Sequence, residues 1–507
     1  MDSFDVSSLF TNVDTTSALE LVRKSLNSDI TLKDGINMSV QQIINGVAIC
    51  LNMNHFLFNR ELYKQNDGLA MGSPSSPVLA MMQIRDELIK KTDKEKDTVT
   101  SLFDQAIQCL SDEDKSLGQI QPLLWLVRRG IGVHHSGLVP ILKEIVEIFF
   151  AKGLLKVLYV TGTFALGLNL PARTVLFTTV REFDSRQNRT ISPEEYIQMS
   201  GRAGRRGKDD HGTVILMWDN HLSWTDVRNI LSMKPDNLES TFHLTEYMIL
   251  NSMQQNGVNP EMMLEKNFYQ FQNKSRLSLK AKDPGSTPLQ SPSKESLFFV
   301  DELQARKFLQ RRLDYCSKDD VLSFKGRVAC EISTDNGILL TELLLEDLFS
   351  QLEPTQIAGV LSCFVEERFP AYTMKVPLKS DMVQALTKIK KKAGFLSRLA
   401  AECRIGSVES FGQRVDYFAG GKKYVKQFTG ELMEVARSWA KGVSFAELLE
   451  ITSMFEGSII RCLRRLHEVL HQMEKAANIA GKIELQMKFS HAKVLIKRDI
   501  VFSTMYD

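Results

Sequence analysis

The chain has 507 residues, 43% of them hydrophobic, which leaves room for roughly two to four domains with real cores. Its 63 basic and 61 acidic residues nearly cancel, for a net charge of +2, so any nucleic-acid surface has to be local. Seven scattered cysteines without a Cys-x-x-Cys pair argue against a disulfide framework and a zinc site and fit a reducing compartment. No apolar run reaches the roughly 18 residues that cross a bilayer, and the stretch Met1-Asp2-Ser3-Phe4-Asp5 has no basic n-region. A soluble intracellular protein with no membrane partner is expected.

Two short blocks stand out in residues 1–82, Phe4 to Val13 and Tyr63 to Pro74. A lone carboxylate, Asp5, ending a strand suits a metal ligand, and Gly68-x-x-x-Gly72-Ser73-Pro74 makes a tight turn into a helix. A plain strand end and a Pro-capped helix read the same residues equally well. Together the blocks resemble motifs A and B of Penelope-like reverse transcriptases, which implies that Asp5 would bind Mg²⁺ and that 68–77 would lie under the template. No Tyr-x-Asp-Asp follows, and the pairs Asp209-Asp210 and Asp319-Asp320 stand in other contexts. Without that carboxylate pair a two-metal site cannot be assembled. The segment is therefore expected to be a truncated α+β polymerase-palm fragment, inactive by itself, with no functional metal.

Apolar sequence gives way between Met82 and Glu95 to charge, and the run Lys90 to Asp97 predicts a solvated helix or linker. A helical pattern from Ser101 to Leu110 follows. The pair His134-His135 comes next; adjacent side chains on a strand point to opposite faces, so the two are poorly placed to chelate one metal. One is expected to pack inward and the other to reach a phosphate or backbone group, with Ser136 and Gly137 opening a turn. Pro140 starts an amphipathic helix whose apolar face is Leu142, Ile145, Val146, Ile148 and Phe149. Val157 to Val160 reads as a buried parallel strand, and the Thr161 to Pro171 loop lies where α/β sheets bind ligands. Strand Thr174 to Thr179, helix 193–200 and strand Thr213 to Met217 complete an alternation that predicts a doubly wound parallel sheet.

Between that helix and the last strand lies Gln198-Met199-Ser200-Gly201-Arg202-Ala203-Gly204-Arg205-Arg206-Gly207. Glycines allow close backbone approach and guanidinium groups stabilise phosphate charge, so the segment suits phosphate handling rather than packing. A solvated basic loop is the bland alternative, but it would more often carry lysines without the glycine spacing.

The blocks GIGVHHSGLVPILKE, GLLKVLYVTGTFALGLNLPARTVLFT and EYIQMSGRAGRRGKDDHGTVIL resemble the second RecA-like domain of superfamily 2 helicases. Within these they are most like the nuclear-exosome type of the DExH-box superkiller branch. The resemblance implies that Arg202 and Arg205 act as catalytic arginine fingers on the ATP γ-phosphate with Gln198 beside them, and that Arg206 is structural. It implies nucleotide-binding roles for Gly167, Asn169 and Gly201, and RNA contacts from His134, His135, Ser136, Gly137 and Thr163. One departure is Thr161-Gly162-Thr163, where the family has Thr-Glu-Thr; losing that carboxylate would weaken coupling of the ATP and RNA sites or loosen the loop.

A complete motor also needs a Gly-x-x-x-x-Gly-Lys-Ser/Thr phosphate loop and an Asp-Glu-x-His metal box. The Gly-Lys pairs at 207, 421 and 481 are not followed by Ser or Thr, and the Asp-Glu pairs at 86, 112 and 301 have no histidine two positions on. ATP and Mg²⁺ are the family's cofactors, yet their binding by this chain alone is doubtful and hydrolysis is not expected.

After the 83–235 motor domain, residues 236–272 read as short helices, Leu238 to Leu250 and, capped by Asn259-Pro260, Glu261 to Phe271. The block MMLEKNFYQFQ resembles the family's winged helix. Residues 273–297 turn to Ser, Pro, Lys and Gly and read as a flexible linker, at the place where the exosome helicase carries a large arch insertion. From 298 to 507 the periodicity is mostly helical, with helices at Leu339 to Leu352, Thr355 to Glu367 and Ser458 to Lys475 and an exposed loop at Gly420 to Lys423. FKGRVACEIS, SWAKGVSFAELLEITSMFEGSIIRCLRRLHEVLHQME and LIKRDIVFSTMYD resemble the family's all-α C-terminal domain. On the long helix Ile460, Leu463, Leu466 and Leu470 form the apolar side. The resemblance makes Arg465 and Glu468 RNA-facing, with His467 replacing a usual acidic residue. It further implies 3′-to-5′ RNA unwinding for degradation and processing, RNA and the nuclear exosome with its adaptors as partners, and a nuclear location. A non-catalytic RNA-binding or complex-forming module is the alternative; a retroelement product acting in DNA synthesis is a remoter one.

Overall fold

The computed structural model describes residues 55–58, 61–64, 92–162, 170–183, 188–217, 223–232, 238–240, 242–255, 259–280, 298–334, 336–365, 377–405 and 421–502. The chain divides into two compact units, residues 1–108 with 118–236, and residues 109–117 with 237–507. In the N-terminal stretch β1 (His55–Phe58) and β2 (Glu61–Lys64) form an antiparallel hairpin. Asp5 and the 68–77 block lie outside the described residues.

In the first unit the charged run is not a linker but the opening of α1 (Asp93–Ala106), which Thr92 and Glu95 start with a reciprocal capping box. Val99, Phe103 and Ala106 are its buried face. After α2 (Ile120–Arg128), β3 (Ile131–His134) runs parallel to β4 (Val157–Val160), with Ile131 opposite Val157 and His134 opposite Val160. The crossover between them carries α3 (Pro140–Ala151), begun by its proline and buried through Ile141, Leu142, Ile145, Val146 and Phe149. Ile148 is only half-buried and Ile141 takes its place. A second parallel pair joins β5 (Thr174–Phe177) to β8 (Thr213–Leu216); between them in sequence lie the antiparallel hairpin of β6 (Arg181–Phe183) with β7 (Asn188–Thr190) and then α4 (Pro193–Ser200), and α5 (Trp224–Leu231) follows β8.

The single doubly wound sheet expected from the alternation is thus, among the described residues, two separate parallel pairs. With no further strand hydrogen-bonded to β4 or β5, side chains that an interior position would cover stay accessible: Tyr159 is 37%, Val160 46% and Leu176 41% exposed. The Val157 to Val160 strand is parallel as read, but not buried: Val157 and Leu158 are half-buried and Tyr159 and Val160 exposed.

The second unit is helical among its described residues. It begins with α6 (Glu246–Gln254), α7 (Pro260–Glu265) and α8 (Phe268–Lys280). Helix α6 starts later than the Leu238 boundary read from the sequence, because Thr245 Oγ1 accepts the Met248 amide and sets the N-terminus. The expected helix 261–271 is split by Asn267, whose side chain donates to the Leu264 carbonyl and accepts from the Gln270 amide. Helix α8 continues through Lys280, past the expected start of the linker, whose remainder at 281–297 lies outside the described residues.

Next come α9 (Val300–Arg312), α10 (Phe324–Ala329), α11 (Gly337–Leu345), α12 (Pro354–Leu361) and α13 (Ser380–Glu402). Then follow α14 (Lys422–Lys426), α15 (Met433–Ala440), α16 (Phe445–Ile451), α17 (Glu456–Ile479), α18 (Ile483–Ile496) and a short α19 (Asp499–Phe502). The expected exposed loop at 420–423 contains the start of α14, and the helices at 339–352 and 355–367 end earlier than read. Helices α17 and α18 form an antiparallel pair around Gly481, which turns at φ +70° where only glycine is unstrained.

Candidate functional site

Helix α4 (Pro193–Ser200) delivers the arginine-rich segment. Ser192 and Glu195 form a capping box at its start, and Arg189 grips the Glu195 carboxylate with two nitrogens, at 2.7 and 2.5 Å. That contact is the main reason the Glu195 carboxyl sits below its ordinary range. Tyr196 buries the helix against β5, its ring 5.1 Å from that of Phe177, in a core completed by Val180, Ile191, Val227 and Ile230. The end of α4 is thereby held at the β5–β8 pair.

Beyond the helix the backbone is laced to the entry of β5. The Ala172 amide donates to Arg202 O at 2.9 Å and the Gly204 amide to Ala172 O at 2.7 Å. Gly204 has φ +87° and packs back to back with Gly212; a Cβ on Gly212 would lie 2.5 Å from the Ala203 carbonyl. Residues 204–212 therefore leave and return through one narrow neck. The close approach made here is of backbone to backbone rather than of backbone to phosphate, and Gly212 is the partner the sequence reading left out. Within the loop, the Lys208 and Asp209 amides donate to Arg205 O at 2.9 and 3.0 Å, and Gly207 turns at φ +75°.

Arg202 and Gly204 are half-buried, while Gln198, Gly201, Arg205 and Arg206 are exposed. Arg205 donates from Nε and Nη2 to the two Asp209 carboxylate oxygens at 2.9 and 2.8 Å, and its own amide donates to the same group at 2.9 Å. These bonds hold the Asp209 carboxyl far below the usual range and raise the Arg205 guanidinium. Folded pKa below the unfolded value means that this contribution is present above the ordinary aspartate range and is lost only as pH falls through the depressed value.

The histidine block sits at the end of β3. His134 Nε2 is 2.8 Å from Glu147 of α3, and His135 Nδ1 accepts the Gly137 amide at 3.1 Å. So the pair does split, one toward a packed helix and the other onto its own turn. Gln119, just before α2, spans that turn, donating to Gly137 O at 2.9 Å and accepting from the Val139 amide at 3.1 Å. Ser136 is exposed at its tip. Gln119 is absent from any local motif, because its partners lie 18 and 20 residues away. The expected roles of Thr163, Gly167 and Asn169 fall outside the described residues.

In the second unit α17 buries Ile460, Leu463, Leu466 and Leu470, and leaves Arg465 and Glu468 exposed one turn apart. Gln472 donates to Glu468 at 3.1 Å and accepts from the Ser333 amide at 3.1 Å. Its neighbours on the helix do other work. Arg461 donates to Ser458 Oγ, and Arg464 donates to the Val501 carbonyl at 2.6 Å and lies over the Phe502 ring. His467 also packs on Phe502, ring centroids 5.0 Å apart, and burial lowers its pKa.

Among the described residues no cluster of His, Cys, Asp and Glu could hold a metal ion, and no helix is long and apolar enough to cross a membrane. The six described cysteines form no disulfide.

An α/β unit that carries a glycine-necked arginine loop, followed in the chain by a unit that is helical among its described residues, is the arrangement on which two domain matches fall. Residues 84–207 match the helicase conserved C-terminal domain, and residues 319–503 match the DSHCT (NUC185) domain. The chain is 30% identical to the Homo sapiens protein named Exosome RNA helicase MTR4, over 640 positions that cover 81% of this chain and 60% of that protein. It is 29% identical to the ATP-dependent RNA helicase mtr4 of Schizosaccharomyces pombe, covering 81% and 56% of the two. Superkiller complex protein 2 of Mus musculus matches at 44% over 181 residues, 36% of this chain and 14% of that protein. Over the matched stretches the chain is a homologue of the exosome-type DExH-box RNA helicases of the superkiller branch, as its motifs imply. It spans about 60% of the length of the curated relatives it matches. Neither domain match reaches residues 1–82, so the polymerase-like reading there has no support beyond its two motifs.

Proposed function

We propose that this chain supplies the arginine-finger half of an ATP site and the helical side of an RNA path in an exosome-type RNA helicase, and that alone it binds RNA without turning over ATP. The observation that carries this reading is the 201–212 loop: a guanidinium presented at the surface on a glycine-necked turn, in a chain whose sequence has no phosphate-cradling Gly-Lys-Ser/Thr and no Asp-Glu-x-His. Arg202 and Arg205, with Gln198 and Gly201, would meet the triphosphate, and Gly167 and Asn169 would lie near the nucleotide. ATP with Mg²⁺ supplies the phosphoanhydride whose cleavage drives such motors. Arginines can stabilise the charge of a transferring phosphoryl group but cannot cradle the nucleotide and its metal by themselves.

RNA would be met by His134 to Gly137 and Thr163 in one unit and by Arg465 and Glu468 in the other. The domain limits 83–235, 236–272 and 298–507, with a winged helix in the middle segment, belong to the same reading, although residues 238–280 show helices and no strand among those described. A 507-residue chain matched over 81% of its length accounts for far fewer residues than the 640 aligned positions. The relative therefore carries a long stretch that this chain does not, which supports the missing arch and weakens the case for arch-dependent adaptors. Nuclear location and exosome association follow from the family. The absent phosphate loop favours the non-catalytic RNA-binding reading over an active helicase for this chain.

Replacing Arg465 by glutamate should weaken binding of single-stranded RNA by about tenfold at moderate salt and lower the salt dependence, since one phosphate contact is removed and reversed. Fluorescence anisotropy with labelled RNA reads this. Affinity unchanged by the substitution would remove α17 from the RNA path.

A further inference from the structure

Asp209 closes the 204–212 loop onto Arg205. Asp209 accepts three hydrogen bonds from one partner, Arg205: from Nε at 2.9 Å, Nη2 at 2.8 Å and the backbone amide at 2.9 Å. The carboxylate is tucked in, its side chain 6% exposed, whereas that of Arg205 is 45% exposed. The turn that brings them together is itself fixed, by two amides on Arg205 O, by Gly207 and by the Gly204–Gly212 neck.

A guanidinium has five N–H groups in one plane. The side-on fork to Asp209 uses the Nε hydrogen and one on Nη2. Both hydrogens of Nη1 and the second on Nη2 remain, and one from each nitrogen lies on the end-on edge, which is the edge suited to a bidentate grip on phosphate oxygens. A free arginine side chain would have to lose its rotamer freedom when the phosphate arrives; a forked one has already lost it.

We propose that Asp209 is a positioning residue that grips the inner edge of Arg205 and presents the outer edge to the terminal phosphates of a bound nucleoside triphosphate. The proposal rests on the reading that Arg205 meets nucleotide phosphate. Its rival is that Asp209 merely occupies Arg205 and must release it. The two differ in sign. A carboxylate near a triphosphate is repulsive, so a mere competitor, once neutralised, would leave ATP bound more tightly. A positioning residue, once neutralised, would leave it bound more weakly.

The test is equilibrium binding of Mg-ATP, titrated into the millimolar range that half a phosphate site requires, to the whole 507-residue chain, wild type and Asp209→Asn, Asp209→Glu, Arg205→Gln and the Asp209→Asn/Arg205→Gln double variant; a wild-type chain with no saturable binding would overturn the positioning role and the arginine-finger reading together. Positioning predicts a loss of about tenfold for Asp209→Asn, the size expected for a charge-assisted hydrogen bond to a charged group. It predicts recovery to within about twofold in Asp209→Glu, and no further loss in the double variant beyond Arg205→Gln, because the two residues act as one. In arginine-labelled protein, the Arg205 Nε–H resonance, identified by its loss in Arg205→Gln, should stay protected when ATP is saturating and vanish in Asp209→Asn.

Equal or tighter ATP binding by Asp209→Asn, with Arg205→Gln still weakened, would overturn the positioning role and leave the arginine-finger reading standing. Loss of the protected resonance on adding ATP would overturn it too, since the fork would then be broken by the ligand. No effect of Arg205→Gln would instead sink the arginine-finger reading, and the positioning role with it.

Discussion

Replacing Arg306 by alanine is expected to destabilise the helical unit by about 3–5 kcal/mol, the cost of leaving a buried charge without its partner. Arg306 on α9 is 5% exposed and donates to Glu246, itself 8% exposed, at 2.7 Å across 60 residues of sequence. It also donates to Glu302 at 3.0 and 2.9 Å. Gln310 donates to the second Glu246 oxygen at 2.6 Å, but an amide brings no positive charge, so the truncation removes the cation from a largely buried carboxylate. The adjacent Lys307 ties α7 and the 314–322 turn to the same helix through Glu261 at 2.7 Å and Asp320 at 2.6 Å. Denaturant unfolding measures the loss. The double variant Arg306→Met/Glu246→Gln should recover most of it, because neither member of the buried pair then carries a charge without its counter-ion. By contrast the surface pair Arg312–Glu402 is open to solvent on both sides, and breaking it should cost at most about 1 kcal/mol. An Arg306→Ala effect as small as that would mean the network is solvated.

The second large effect is expected at Trp439, where alanine should cost about 3–5 kcal/mol through the lost burial and the cavity left behind. The indole is fully buried on α15. Its Nε1 donates to the Ile496 carbonyl at 2.9 Å, its ring meets Phe445 edge-on at 6.0 Å, and the Arg498 guanidinium lies 3.5 Å above it. One side chain thus pins the end of α18 and the chain leading to α19. Amide exchange should show the 493–502 segment opening ahead of α17 in the variant. Trp439→Phe keeps most of the volume and should cost less, about 1–3 kcal/mol, mainly from the carbonyl left unsatisfied.

The chemistry of the arginine loop was readable because it is local: three arginines and three glycines lie within one short stretch. Its architecture was less so. Asp209 and Gly212 close the loop, yet they follow the motif and read as ordinary polar turn residues. Gln119 shapes the histidine turn from a distant segment and leaves no periodic signal. Helix boundaries failed where one side chain decided them, at Thr245 and at Asn267. The sheet failed for a different reason. Alternation of strand and helix implies parallel pairing, but which short strands hydrogen-bond to which is set by tertiary contacts that no local pattern encodes. The buried charges of α9 belong here as well, since a helix rich in Arg, Lys and Gln reads as a solvated surface.

The central claim is that the arginines are one half of an ATP site whose other half must come from elsewhere. The most direct measurement is phosphate release from ATP by the purified 507-residue chain, with and without single-stranded RNA. Release indistinguishable from the protein-free blank in both conditions, alongside measurable RNA binding, is the predicted result. RNA-stimulated hydrolysis by this chain that disappears in Arg205→Gln would contradict it.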